Sequence, residues 1–131
     1  MSPVAVVGGI IERSGLILLA ERPPHKSHAG KWEFPGGKIE AGETAGAALE
    51  RELQEELHLD VRIEKFLGVF PHIYQKGPID LHIFHVTALN EPQPTEDVQN
   101  FKWVRPSQVS QYDLAAADIA PWKAYLALRP L

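Results

Sequence analysis

The 131-residue chain contains no cysteine. Thiolate zinc sites are therefore excluded, and the absence fits a reducing compartment. Long apolar runs are missing too, the longest falling far short of a membrane span. The start MSPVAVVGGI has neither the basic residues nor the extended apolar stretch of a signal peptide. Cytoplasmic residence is expected. Positive charge is scarce: 13 basic against 17 acidic residues give a formal net charge of −4, which argues against partners such as polymeric nucleic acid or an anionic membrane. Repeats and low-complexity segments are absent as well. With 44% hydrophobic residues, one globular domain over residues 1–131 with a buried core is expected, as a monomer.

What the chain does have is a dense, regularly spaced acidic segment. Residues 37 to 59 read GKIEAGETAGAALERELQEELHL. Gly37 is followed after five residues by Glu43, and after seven more by Arg51-Glu52-Leu53-x-Glu55-Glu56. Seven specified positions match a given start by chance about once in 10⁸, so the frame carries information that a charged helix alone does not. Thr44 to His58 lacks Gly and Pro apart from Gly46 and is rich in Ala, Leu, Glu and Gln. This composition predicts a helix with Thr44 as a candidate N-cap. At about 100° per residue, Glu52, Glu55 and Glu56 fall within roughly a 100° arc, beside an apolar stripe of Leu49, Leu53 and Leu57. The three acids thus lie at the edge of the buried face, where like charges repel unless a cation sits among them. Carboxylate oxygens suit a hard ion that shares its shell with phosphate: Mg²⁺, with Mn²⁺ as a substitute. The six histidines, at 25, 28, 58, 72, 82 and 85, show no helical pairing, and His82 and His85 on one strand face opposite ways.

The remaining pattern is a set of strands around this helix. Val4 to Ile11 and Leu16 to Glu21 read as a hairpin joined by Glu12-Arg13-Ser14-Gly15. Pro23 to Lys31 reads as a polar loop, and Trp32 to Phe34 re-enters the core before the loop Pro35-Gly36-Gly37. Val61 to Tyr74 and Ile79 to Leu89 are extended runs around Gly77-Pro78, followed by a proline-rich turn over Glu91 to Thr95. Phe101 to Val104 is a short strand, Pro106 to Gln111 a helical turn and Asp118 to Leu128 a second helix. These elements predict an α/β (α+β) domain with a mixed β-sheet between helices.

The segment from Gly37 to Leu59, with the preceding Phe34-Pro35-Gly36, resembles the signature box of the Nudix hydrolases; His58 stands where that family usually has Gly. The resemblance implies an α/β/α sandwich and hydrolysis of a small-molecule nucleoside triphosphate to a monophosphate and pyrophosphate. It also implies a metal held by Glu52, Glu55, Glu56 and the Gly36 carbonyl, supported by Gly37, Glu43 and Arg51. Arg51 is expected to brace a glutamate rather than touch substrate. Hydrolysis needs a positioned water and a base for it. Glu52 is one candidate; Glu96 and Asp97, in the loop before the strand ending in Trp103 and Val104, are the others. Lys38 and Arg22 are the expected phosphate or nucleotide contacts.

The runs Trp32 to Glu40 and Leu114 to Pro121 resemble the MutT-like branch and its cytidine-triphosphate relatives. That resemblance implies an 8-oxo-dGTP diphosphatase that prevents misincorporation into DNA. CTP or 5-methyl-dCTP pyrophosphohydrolysis is the alternative within enzymes, and a non-catalytic nucleotide sensor the alternative outside them. Phe34 offers an apolar wall for a base. Asp118 stands where many MutT-like proteins have a base-reading Asn; it is equally placed to be a plain N-cap of the last helix. The run Asp80 to Val86 is closer to the cytidine-type relatives.

Overall fold

The computed structural model describes residues 2–26 and 28–129. Its strands are β1 (Val4–Arg13), β2 (Leu16–Glu21), β3 (Trp32–Glu33), β4 (Gly36–Lys38), β5 (Val61–Tyr74), β6 (Gly77–Ala88) and β7 (Phe101–Val104), with helices α1 (Ala45–Leu57) and α2 (Ala116–Leu128). A 3₁₀ turn covers Pro106–Gln111. The sheet runs β3-β2-β1-β6-β5, with β4 added to β1 and β7 to β2. Among the described strand pairs only β1–β6 is parallel, so the sheet is mixed; an isolated parallel bridge joins Trp32 to Leu114.

Alternation along the central strands buries both faces. On β2, Leu18 and Ala20 join the core beneath α1, while Ile17 and Leu19 join the core beneath α2. Helices therefore cover the sheet on both sides, the expected sandwich. Leu49, Leu53 and Leu57 of α1 are fully buried, each contributing about 1.5–3 kcal/mol of apolar burial. Thr44 caps α1 by accepting from the Ala47 N–H at 3.1 Å.

Four sequence readings need correction. Glu12 and Arg13, read as part of the turn of the first hairpin, belong to β1 and pair with Ile17 and Leu16 of β2, which leaves Ser14-Gly15 as the turn. Gly36-Gly37, read as loop, belongs to strand β4, whose residues 36–38 pair with residues 8–6 of β1; this partner is distant in sequence and leaves no local signal. The turn of the β5–β6 hairpin is Gln75-Lys76, since Gly77 already pairs with Tyr74. Helix α2 begins at Ala116 behind Ala115 rather than at Asp118, because the alanine run continues the helix backwards. Asp118 is therefore in the first turn and is not the N-cap.

His58 ends α1 at φ 49°, ψ 40°, a left-handed conformation, with its N–H donating to Gln54 and Leu53 carbonyls. Glycine occupies that region without the Cβ penalty. His58→Gly is expected to stabilise the protein by about 0.5–1 kcal/mol, seen as a higher urea midpoint at unchanged slope.

Candidate active site

The frame of glycines and acids closes into one structure around Arg51. Its Nε donates to Glu43 Oε2 at 2.7 Å and its Nη2 to Glu43 Oε1 at 2.9 Å. Nη2 also reaches the Lys38 carbonyl at 3.0 Å, and Nη1 donates to Glu52 at 2.9 Å and Glu55 at 3.2 Å. Glu43 accepts in addition from the Glu40 N–H at 2.9 Å. The Arg51 hydrogen bond, then that backbone N–H, hold the Glu43 carboxyl down to about 2. Arg51 is itself held above its ordinary range, chiefly by Glu43. The fixed spacing thus folds residues 38–43 back onto α1.

Glycine at 37 is required by what lies beside it. A Cβ there would stand 2.4 Å from the Glu52 carboxyl carbon, closer than atoms pack. At Gly36 a Cβ would stand 1.9 Å from the Val7 carbonyl oxygen of the paired strand. The first glycine admits β4 to the sheet; the second admits Glu52 to β4.

Glu56, one turn further along α1, has a buried Oε1 with no hydrogen-bond partner among the described residues. Burial, then repulsion from Glu52 and Glu33, push its carboxyl up to about 9. Glu55 differs: its side chain is 57% exposed and turned onto Arg51. Consequently no three acidic or imidazole side chains converge on one point among the described residues. Glu52 and Glu56 nevertheless form an oxygen-only, partly buried pair with an orphaned oxygen. That donor set fits a hard divalent cation completed by phosphate and water.

A cleft of about 960 Å³ opens beside Glu56, with Glu52 and Glu55 outside its lining; its volume is at the upper end of the usual size for small-molecule sites. Its lining brings together Arg22, Phe34, Gly36, Gly37, Lys38, Glu56 and Asp118. Glu96 and Asp97 are exposed and not part of the lining. Their loop is tied to α1 by Thr95 Oγ1, which donates to the Glu56 carbonyl at 2.6 Å. Among the lining residues that escaped the sequence reading are Lys26, Glu33 and Tyr74. Glu33 pairs with Arg22 at 2.9 Å; its place in the run Trp32 to Glu40 was its signal. Lys26 and Tyr74 arrive on a loop and a hairpin end that carry no motif.

Asp118 is 6% exposed and accepts from the Phe34 N–H at 3.1 Å. Burial raises its carboxyl to about 8, with Glu33 adding and the Phe34 N–H opposing. A raised folded value means that stability from this site is fully present below about 3.8 and is lost as pH rises through about 8. Asp118→Asn keeps the acceptor for Phe34 without the charge. Its Tm is expected to fall less than that of the wild type between pH 5 and pH 8, by about 3 °C or more in the difference, as read by thermal unfolding without metal.

The chain is 40% identical over 129 residues to the CTP pyrophosphohydrolase of Escherichia coli (strain K12), covering 98% of this chain and 96% of that one. It is 34% identical over 130 residues to the 8-oxo-dGTP diphosphatase of Haemophilus influenzae, covering 98% and 91%. The solution structure of the E. coli ORF135 protein superposes with a TM-score of 0.87 at 40% identity, over 98% of this chain and 92% of that one. A model of the NUDIX domain matches residues 1–126, and the chain belongs to that family, as a Nudix nucleotide pyrophosphohydrolase.

Proposed function

We propose that the chain hydrolyses 8-oxo-dGTP to 8-oxo-dGMP and pyrophosphate with Mg²⁺, clearing a mutagenic nucleotide from the precursor pool. The observation that carries this reading is the buried Asp118 beside Phe34 in the cleft. A carboxyl held in its acid form near neutrality both donates and accepts. The N7–H and O6 of 8-oxoguanine present one donor beside one acceptor and match it. The same edge of guanine presents two acceptors and does not.

In this reading Phe34 is the apolar wall for the base, and Arg22, Lys26 and Lys38 hold the phosphates. Glu52 and Glu56, with the Gly36 carbonyl, would hold the ion, and Glu55 would join them on leaving Arg51. Bound Mg²⁺ neutralises phosphate charge. Glu52, held by Arg51 against Gly37 and beside Glu56, takes the proton of the attacking water; Glu96 and Asp97 are exposed on the loop that Thr95 ties to α1. Arg51 keeps Glu52 in place and touches no substrate.

CTP and 5-methyl-dCTP form a second reading with an observation of its own, the 40% identity over 129 residues to a CTP pyrophosphohydrolase. Cytosine also sets an acceptor, N3, beside a donor, the N4 amino group, so Asp118 matches it equally. The test compares kcat/KM for 8-oxo-dGTP, dGTP, CTP, dCTP and 5-methyl-dCTP with Mg²⁺. A preference for 8-oxo-dGTP over dGTP of about 100-fold or more is expected, the range that an unmatched buried polar group produces. A lead for the cytidine substrates establishes the second reading. Binding of all five without turnover overturns both in favour of a nucleotide sensor.

A further inference from the structure

A second polar cluster lies far from the cleft. Val4, Val6 and Val7 of β1 line the cleft, and Glu12 is five residues beyond Val7, about 17 Å along the strand. There Glu12 Oε1 accepts from the Tyr125 phenol at 3.0 Å and from His85 Nε2–H at 3.0 Å. Three elements meet at one oxygen: β1, β6 and α2. None of these three residues lines the cleft.

The cluster is nonetheless connected to Phe34. The His85 and Tyr125 rings stand 5.1 Å apart, Tyr125 stacks on Trp122 at 5.3 Å, and Trp122 meets Phe34 at 6.0 Å. Phe34 in turn supplies the N–H that Asp118 accepts. Asp118, Trp122 and Tyr125 are spaced four and three residues apart, so they share one face of α2. Pro121 has no N–H to bond the Ala117 carbonyl, so the first turn depends on contacts outside the helix. Side-chain hydrogen bonds hold α2 at both ends, Asp118 to the β3–β4 connection at Phe34 and Tyr125 to β1 at Glu12.

We propose that Glu12 and Tyr125 are positioning residues for base recognition: their hydrogen bond sets the roll and height of α2 on the sheet, and the aromatic row carries that setting to Phe34 and Asp118. The proposal rests on the reading of Asp118 as the base reader. It separates selectivity from turnover, because the clamp touches neither the acids of α1 nor the cations of the cleft.

The test measures kcat and KM for 8-oxo-dGTP and dGTP, or for CTP and GTP if cytidine substrates lead, in Tyr125→Phe, Glu12→Ala, Glu12→Gln and Asp118→Ala. Tyr125→Phe keeps the stacked ring and removes only the donor. With Glu12→Ala it is expected to lower the preference between the paired substrates about fivefold through KM, the low end of couplings between sites, with kcat within twofold. Glu12→Gln retains an acceptor for the phenol and is expected to keep the preference. Tyr125→Phe added to Asp118→Ala should cause no further loss. If Asp118→Ala abolishes the preference while Tyr125→Phe and Glu12→Ala leave it intact, or lower both substrates equally, the clamp is overturned and the Asp118 reading stands. If Asp118→Ala leaves the preference intact, both fall.

Discussion

Glu56→Gln is expected to lower kcat by about three orders of magnitude while the fold survives. Gln reproduces the shape of the side chain but cannot become an anion. The buried, unpartnered Oε1 of Glu56 is the least comfortable polar atom of the site, and a cation is the partner that relieves it. Without metal, the folded protein retains up to about pH 9 a proton that the unfolded chain releases near 4.5. Stability from this site is therefore fully present below about 4.5 and is lost as pH rises towards about 9. Metal-free Glu56→Gln should accordingly resist alkaline unfolding better than the wild type. Adding Mg²⁺ at pH 8 should raise the Tm of the wild type and leave that of Glu56→Gln nearly unchanged. Full activity in the variant would remove Glu56 from the metal site.

Gly37→Ala is expected to cost about 100-fold in kcat with a folded protein, whereas Gly36→Ala, one residue earlier, is expected to cost stability first. The added atom is the same; its neighbour differs. At Gly37 the new Cβ meets the Glu52 carboxyl at 2.4 Å, a flexible group that yields by moving. That movement displaces an acid of the site, and misplacement by about 1 Å costs on the order of 100-fold. At Gly36 it meets the Val7 carbonyl at 1.9 Å, a backbone atom bound into the sheet. Relief there means losing the β4–β1 pairing, with a cost of about 3 kcal/mol or more. Urea unfolding and kcat measured on both variants separate the cases; a Gly37→Ala enzyme with normal kcat would dissociate Glu52 from the chemistry.

Helix α1 was legible because every local signal agreed: Thr44 at the cap, leucines at helical spacing and no breaker after Gly46. The strands were legible as apolar runs of the right length, but their partners were not. Strand β4 shows the limit, since glycines carry no apolar pattern and their pairing to β1 is settled by fit against Val7 and Glu52. Asp118 was picked out for its residue type, yet its place in the helix was misread. Its side chain turns to the Phe34 N–H, 84 residues away in sequence, and not to its own helix. Glu96 and Asp97 stood out by their place in the loop before the strand ending in Trp103 and Val104, but that place does not say which way a loop faces. The bond from Thr95 to the Glu56 carbonyl fixes that loop on α1 and leaves both acids exposed. The clamp of Glu12, His85 and Tyr125 was invisible for the same reason: three ordinary residues meet only when β1, β6 and α2 are packed.

The central claim is most directly tested by product analysis of 8-oxo-dGTP and CTP incubated with the protein and Mg²⁺. Equal amounts of nucleoside monophosphate and pyrophosphate, abolished by chelation and by Glu56→Gln, are the predicted result. Release of orthophosphate with the diphosphate, or turnover indifferent to chelator and to Glu56, would contradict it.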